Sequence, residues 1–217
     1  MKTLIFSDTH LGKKVDQKKL NFLKKIILEA DRVIINGDFW DRFSCTFDEF
    51  VNSGWSELFP LLKKRQTIYI YGNHDGKKFS DKRVDLFSNE QREQLNLVSG
   101  KKKFFIEHGN SVLYTSKLWD IKIFEFAVCK SIEILDAFFL GILKVAWYKP
   151  YNILKNRELI EWKKENIESG TFYITGHTHL PEIDEKVEFA NTGRIKHGFG
   201  DYLVLEDGKV SLKQLRY

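Results

Sequence analysis

A chain of 217 residues, 42% hydrophobic and 14% aromatic, can bury a sizeable core, on the scale of one ordinary domain or two small ones. Charge is nearly balanced, 35 basic against 30 acidic for a net +5, which excludes the low-hydrophobicity, high-net-charge composition of disordered chains. Three prolines and 14 glycines exclude collagen-like and proline-rich architectures, and two cysteines, Cys45 and Cys129, without a CxxC pattern fit a reducing cytosol better than a disulfide framework.

The apolar opening, Thr3 to Phe6, is too short for a signal-peptide core, and no uncharged apolar run reaches the length that spans a bilayer. The chain therefore reads as cytoplasmic. Its pI of about 9.0 comes mostly from scattered lysine doublets such as Lys13-Lys14 and Lys24-Lys25. Such doublets suit solvated helix faces better than a nucleic-acid surface.

In chain order, Lys2–Ser7 is a short strand. Asp16–Ala30 carries Leu20, Leu23, Ile27 and Ala30 at helical spacing. Arg32–Asn36 reads as a buried strand, Phe47–Leu62 as a helix capped by Ser44 or Thr46, and Thr67–Tyr71 as a third strand. This βαβαβ order implies at least three parallel strands with right-handed crossovers. Leu95–Ser99, Lys103–Glu107 and Ser111–Thr115 then read as a meander of short strands. A helical region from about Lys117 to Ser169 follows, broken near Pro150. Strand signals return at Thr171–Thr175, Lys186–Ala190, Tyr202–Glu206 and Lys209–Gln214, the last two joined by an Asp207-Gly208 turn. One domain, 1–217, with a helical insertion at about 117–169, is the economical description.

Five of the six histidines sit at or just past predicted strand ends. Asp8-Thr9-His10 follows the first strand, Gly37-Asp38 the second and Gly72-Asn73-His74-Asp75 the third. His108-Gly109 and Gly176-His177-Thr178-His179 follow two later strands. The carboxyl ends of parallel strands form the edge where ligands bind. Each element alone is weak, since DxH is usually a turn and HTH can be an alternating strand. Together they are hard to explain as core, because buried unpaired charge costs several kcal/mol. His197, alone beside Gly198, reads as a loop residue.

Asp, His and Asn without Cys suit a hard-to-borderline cation, Mn²⁺ first, with Fe²⁺ or Zn²⁺ as alternatives. About seven ligands are too many for one four-coordinate ion but enough for two that share a carboxylate. Paired divalent ions clamp phosphoryl oxygens and activate water.

In order and type these motifs resemble the signature of the calcineurin-like metallophosphoesterases, from Lys2 to about Gly193. The resemblance implies a four-layer α/β/β/α sandwich. It also implies that Asp8, His10, Asp38 and His179 hold one metal and that Asp38, Asn73, His108 and His177 hold the other. His74 would be the general acid, with Asp41 orienting it. Arg42 and Asn73 would contact the substrate phosphate, although Phe43 stands where the phosphoprotein-phosphatase form has glycine. The spacing of His108 from His177, the helical insertion, GHTHLP and Asn191-Thr192-Gly193 look most like the UDP-2,3-diacylglucosamine hydrolases. Two features depart from that branch: His74 stands where it has Arg, and His108-Gly109-Asn110 where it has HGD.

The expected activity is hydrolysis of a phosphodiester or pyrophosphate bond in a nucleotide- or lipid-linked small molecule. The alternatives are a nuclease-like phosphodiesterase and a non-catalytic scaffold that kept the fold, as the retromer subunit resembling this family did. Placed on a helix, Ile121–Val145 has an apolar face wider than docking on one core requires. Packing is one use for it. A lipid-binding lid, or peripheral membrane contact through 117–150 at the inner membrane surface, is the other.

Overall fold

Alternating side chains on buried strands set the layering. The computed structural model describes residues 1–113 and 149–217. In it β1 (Thr3–Phe6), β2 (Arg32–Asn36) and β3 (Ile68–Ile70) are buried almost throughout, as strands covered on both faces must be. They run parallel, with Ile5 beside Ile34 and Ile34 beside Ile68, and β4 (Glu90–Arg92) extends the set. On the other side of β1 lies antiparallel β11 (Phe199–Glu206), itself flanked by β10 (Ile195–Lys196) and β12 (Lys209–Arg216). These seven strands form one sheet.

The second sheet has five strands. β5 (Gln94–Ser99) pairs antiparallel with β6 (Lys102–Glu107), and β6 runs parallel to β7 (Thr171–Thr175). β9 (Phe189–Asn191) lies parallel to β7 and is closed by antiparallel β8 (Glu182–Asp184).

Ile5, Ile34, Ile70, Ile106, Ile174 and Leu203 point into one cluster shared by the two sheets. The alternate residues of the first sheet, among them Leu4, Phe6, Val33 and Ile35, face the opposite way. There they meet α1 (Gln17–Leu28), α2 (Phe47–Val51) and α3 (Phe59–Lys64). Tyr173 and Phe189 on the outer face of the second sheet meet Leu159 and Ile160 of α5 (Lys149–Asn166). The order is helices, sheet, sheet, helix: the four-layer α/β/β/α sandwich.

Three elements differ from the sequence reading. The helix expected over Phe47–Leu62 is three pieces. Thr46 and Glu49 cap α2 reciprocally, Ser53 caps a 3₁₀ turn at Gly54–Leu58, and Pro60 opens α3. Gly weakens a continuous helix at 54, and Pro cannot donate to it at 60. The strand expected at Ser111–Thr115 is instead α4 (Asn110–Leu113) over its described part. Ser111 Oγ donates to Glu107 Oε2 at 3.0 Å, and Val112 and Leu113 pack beside α5, so tertiary contact overrides the β propensity of Val112. The strand expected at Lys186–Ala190 starts later, at Phe189, after a turn. α5 lies within the expected 117–169 insertion, while the segment Ile121–Val145 and Cys129 fall outside the described residues. Among the described residues no helix is long and apolar enough to cross a membrane.

Candidate metal centre

Five loops meet at the carboxyl edge of the strands. The chain leaves β1 through Asp8, Thr9 and His10, and β2 through Gly37 and Asp38. Asp8 N donates to Gly37 O at 3.1 Å and His10 N to Asp38 O at 2.9 Å, so the two turns are laced together. Asp8, His10, Asp38, His177 and His179 all have positive φ, between 44° and 66°. Left-handed backbone costs a non-glycine residue about 1–2 kcal/mol. Strain held at five converging residues points to a use for those side chains. Two glycines make room: a Cβ at Gly37 would collide with the His108 ring, and one at Gly72 with the Asp38 carboxylate.

The imidazoles and carboxylates fall into clusters. Asp8, His10 and His179 form one group of converging donors, and Asp38, His108 and His177 another. His179 Nε2 lies 3.1 Å from Asp8 Oδ1 and 3.2 Å from His10 Nε2. Asp38 Oδ2 faces three rings, at 3.3 Å from His108 Nε2, 3.8 Å from His10 Nε2 and 3.9 Å from His74 Nε2. Asp38 thus stands between the two clusters. Asn73 sits on the loop between Gly72 and His74, and its carbonyl accepts from Arg42 Nε at 3.3 Å.

Burial and neighbouring charge together set the protonation of the cluster. Asp8 and Asp38 are essentially fully buried. Burial alone would raise both carboxyls, yet His179 and His10 around Asp8, and His108 and His74 around Asp38, hold them well below the ordinary range. Burial, with Lys196 and His74 nearby, drops His10 to about 3; burial and His108 do the same to His177. Both rings are therefore neutral and offer lone pairs. His108 Nδ1 donates to Asn36 O at 2.8 Å, leaving Nε2 aimed at Asp38. Burial opposes charge on His108, but the Asp38 carboxylate outweighs it and carries the ring up to about 10. Asp8 Oδ1 and His108 Nε2 are buried and make no hydrogen bond, which fits atoms reserved for a metal.

A third cluster joins His10, Asp41 and His74. Asp41 Oδ1 accepts from His74 Nδ1 at 3.0 Å, and its carboxylate also accepts from Phe43 N at 3.0 Å and Ser44 Oγ at 2.5 Å. Burial would raise Asp41, but the bond from His74 reverses this and holds the acid well below its usual range. His74 moves the other way. Burial disfavours its charge, and Asp38 and Asp41 more than compensate, so its affinity for a proton rises. The ring meets Phe43 edge to face, with centroids 5.0 Å apart. The Arg42 guanidinium lies 4.2 Å from the Phe43 ring and 4.1 Å from Phe79. Phe43 thus supports both neighbours.

Three residues to which the sequence reading gave no role hold this frame: Asp75 and Asn191, inside quoted motifs, and Asn156, outside them. Asp75, the last residue of the Gly72-Asn73-His74-Asp75 run, accepts from Asp38 N at 3.1 Å, Phe39 N at 2.6 Å and Gly72 N at 2.7 Å. Burial and the charge of Asp38 lift its carboxyl to about 6. Asn156, from α5, accepts from Thr178 Oγ1 at 2.7 Å and donates to Glu182 Oε2 at 2.8 Å. Asn191 Nδ2 donates to Gly176 O at 2.6 Å. Proximity of Asp75 to His74 was a readable signal; a helix residue such as Asn156 carried none. His197 occupies the turn between β10 and β11, apart from the clusters.

Comparison with protein families matches residues 1–181 to the one described as calcineurin-like phosphoesterase. No curated protein matches the chain by sequence. Among solved structures, the phosphoesterase YfcE from E. coli aligns over 100% of both chains, with a TM-score of 0.51 at 15% identity. Vps29 from Entamoeba histolytica in complex with Zn²⁺ aligns over 100% of this chain and 99% of its own, at 0.48 and 14%. TM1076 from Thermotoga maritima covers the same shares at 0.46 and 20%. At 15% identity the likeness to YfcE is one of fold.

Proposed function

The chain belongs to the calcineurin-like phosphoesterase family, and from that footing we propose that it is a phosphoesterase working with two divalent ions. Asp8, His10, Asp38 and His179 would hold one ion; Asp38, Asn73, His108 and His177 would hold the other. The observation that carries this reading is Asp38 Oδ2 facing His10 and His108 from between the two clusters, beside a His108 Nε2 that has no hydrogen bond. Mn²⁺ suits the oxygen and nitrogen donors best, with Fe²⁺ or Zn²⁺ as alternatives. When bound, such a pair supplies Lewis acidity and lowers the pKa of water.

The chain's own residues supply the rest. Asp41 fixes the His74 tautomer by accepting from Nδ1, so Nε2 can carry a proton toward the site. His74, whose proton affinity is raised by Asp38 and Asp41, would deliver that proton to the leaving oxygen. Arg42, stacked between Phe43 and Phe79, starts with little rotamer freedom to lose on contacting a phosphate oxygen. The substrate we infer is a phosphodiester or pyrophosphate in a nucleotide- or lipid-linked small molecule, of which UDP-2,3-diacylglucosamine is one example. An intact His74 and a full ligand set support catalysis over a scaffold role.

The test is a leaving-group series. His74→Ala should lose about 10²–10⁴-fold in kcat on an alkyl leaving group, and much less on p-nitrophenolate, which needs little protonation, with metal content unchanged. Equal losses on both would remove His74 from acid catalysis.

A further inference from the structure

The chain leaves β9 through Asn191, Thr192 and Gly193, and each residue of that run is tied down behind the metal loops. Asn191 Nδ2 donates to Gly176 O at 2.6 Å, and its Oδ1 accepts from Gly193 N at 2.9 Å. Thr192 N donates to Thr175 O at 2.9 Å, and Thr192 Oγ1 lies 2.5 Å from Ser7 Oγ. Ser7 Oγ in turn donates to Asp8 Oδ2. The contact joins the end of β1 in one sheet to the end of β9 in the other, and Ser7, Asp8, Thr175, Asn191 and Thr192 are all fully buried. A Cβ on Gly176 would collide with both Ser7 Oγ and Asp8 Oδ2, so only glycine lets the chain after β7 come this close to the chain after β1.

The two oxygens of Asp8 have different surroundings. Oδ2 accepts from Ser7 Oγ and from His177 N at 2.9 Å. Oδ1 makes no hydrogen bond and faces His179 Nε2 at 3.1 Å and His10 Nε2 at 3.8 Å. The supply of protons orients the hydroxyls. A carboxylate ligand carries no proton and only accepts, so Ser7 gives its one O–H to Asp8. Ser7 Oγ can then only accept from Thr192 Oγ1. The remaining contact of Thr192 Oγ1, to Thr175 O at 3.2 Å, is dispensable, because that carbonyl already takes Thr192 N. A single chain of donors therefore runs from Thr192 to Ser7 to Asp8. Hydrogen bonds that end on a charged acceptor are the strong ones.

We propose that Ser7 and Thr192 form a hydroxyl relay that holds Asp8 as a single-oxygen ligand: Oδ1 is left for the ion it shares with His10 and His179, and Oδ2 is fixed to the frame. The proposal rests on the two-ion reading and deepens it by naming the residues that position one of the two sites. Without the relay, Asp8 Oδ2 keeps only His177 N, and the carboxylate can turn Oδ1 away from the two rings. The other site has its own supports: Asp38 Oδ1 accepts from His74 N at 2.9 Å, and His108 Nδ1 donates to Asn36 O. Loss of the relay is therefore selective for one site.

Calorimetric titration of the full chain with Mn²⁺ tests the relay. Ser7→Ala should weaken one of the two sites about 10–100-fold, as loss of a ligand-orienting partner does, and leave the other unchanged. Thr192→Val keeps the shape without the hydroxyl and should weaken the same site by less, while Thr192→Ser should bind as the wild type does. Because Thr192 acts through Ser7, the double variant Ser7→Ala/Thr192→Val should bind as Ser7→Ala alone. No weakening in Ser7→Ala, equal weakening of both sites, or additive losses in the double variant overturns the relay. Should Ser7→Ala fail to fold, Thr192→Val and Thr192→Ser decide, and equal binding by the two contradicts the proposal. The phosphoesterase reading fails separately: a wild type that binds two Mn²⁺ ions but leaves bis(p-nitrophenyl) phosphate and pyrophosphate esters intact removes it, and the relay still stands or falls on the binding data. A wild type that binds no Mn²⁺ overturns both.

Discussion

The two helical layers that cover the sheets are held by different physics. Over the seven-stranded sheet the cover is aromatic. Phe50 touches Phe39, Trp40, Phe59 and Phe87 at centroid distances of 5.7–6.0 Å, and all five are buried. Over the five-stranded sheet, α5 buries Leu159 and Ile160 and, beside them, the polar Asn156 and Lys163. Lys163 Nζ donates to Val187 O at 2.8 Å and meets Glu188 at 3.1 Å. Asn156 reaches the loop that carries His177 and His179. The lesson is one of division: the first layer supplies stability to the loops after β1, β2 and β3, while the second fixes the geometry of one loop.

The largest effect should come from the aromatic layer. Phe50→Ala is expected to cost about 3–5 kcal/mol of unfolding free energy, read by denaturant titration, while the folded fraction keeps its metal. Asn156→Ala should cost less, about 1–3 kcal/mol, because it strands the Thr178 hydroxyl and Glu182. Metal affinity should nevertheless fall about 10–100-fold, as for other residues that orient ligands. Asn156→Asp, which keeps the acceptor for Thr178, should recover part of that affinity. If both alanine variants lose metal only in proportion to stability, the division between the layers is wrong.

A smaller effect sharpens the same contrast. Asp201 is a buried acid in the seven-stranded sheet, and burial lifts it to about 6, above its ordinary 3.8. A folded-state pKa above the unfolded one means that the folded protein holds the extra proton. Its stability contribution is therefore full below about pH 4 and is lost as pH rises through 6. Asp201→Asn should stabilise the protein by about 1 kcal/mol at pH 7.5 relative to pH 4.5, after allowance for solvent screening. A pH-independent difference between variant and wild type would show that Asp201 is ionised in both states.

Much of this was legible in the sequence because metal-type side chains at strand ends are chemically out of place in a core. Asp8, His10, Asp38, His74, His108, His177 and His179 all converge, and the strand-ending glycines marked the turns. What stayed hidden depends on distant partners. Val112 favours a strand locally, but packing beside α5 and the Ser111–Glu107 bond make its segment a helix. Ser53-Gly54 and Pro60 interrupt a pattern that apolar spacing alone ran together. Asn156 is an ordinary residue by sequence. Only the docking of α5 brings it to the loop that carries His177 and His179.

The central claim is that Asp38 serves two ions at a hydrolytic site. The most direct measurement is metal content and bis(p-nitrophenyl) phosphate hydrolysis of the same samples, for wild type and Asp38→Asn, after metal removal and titration with Mn²⁺. The account predicts activity that rises as the protein approaches about two ions per chain, and, in Asp38→Asn, loss of both activity and bound metal on a folded protein. Hydrolysis that persists in metal-free protein, or an Asp38→Asn variant that keeps full metal content and activity, would contradict it.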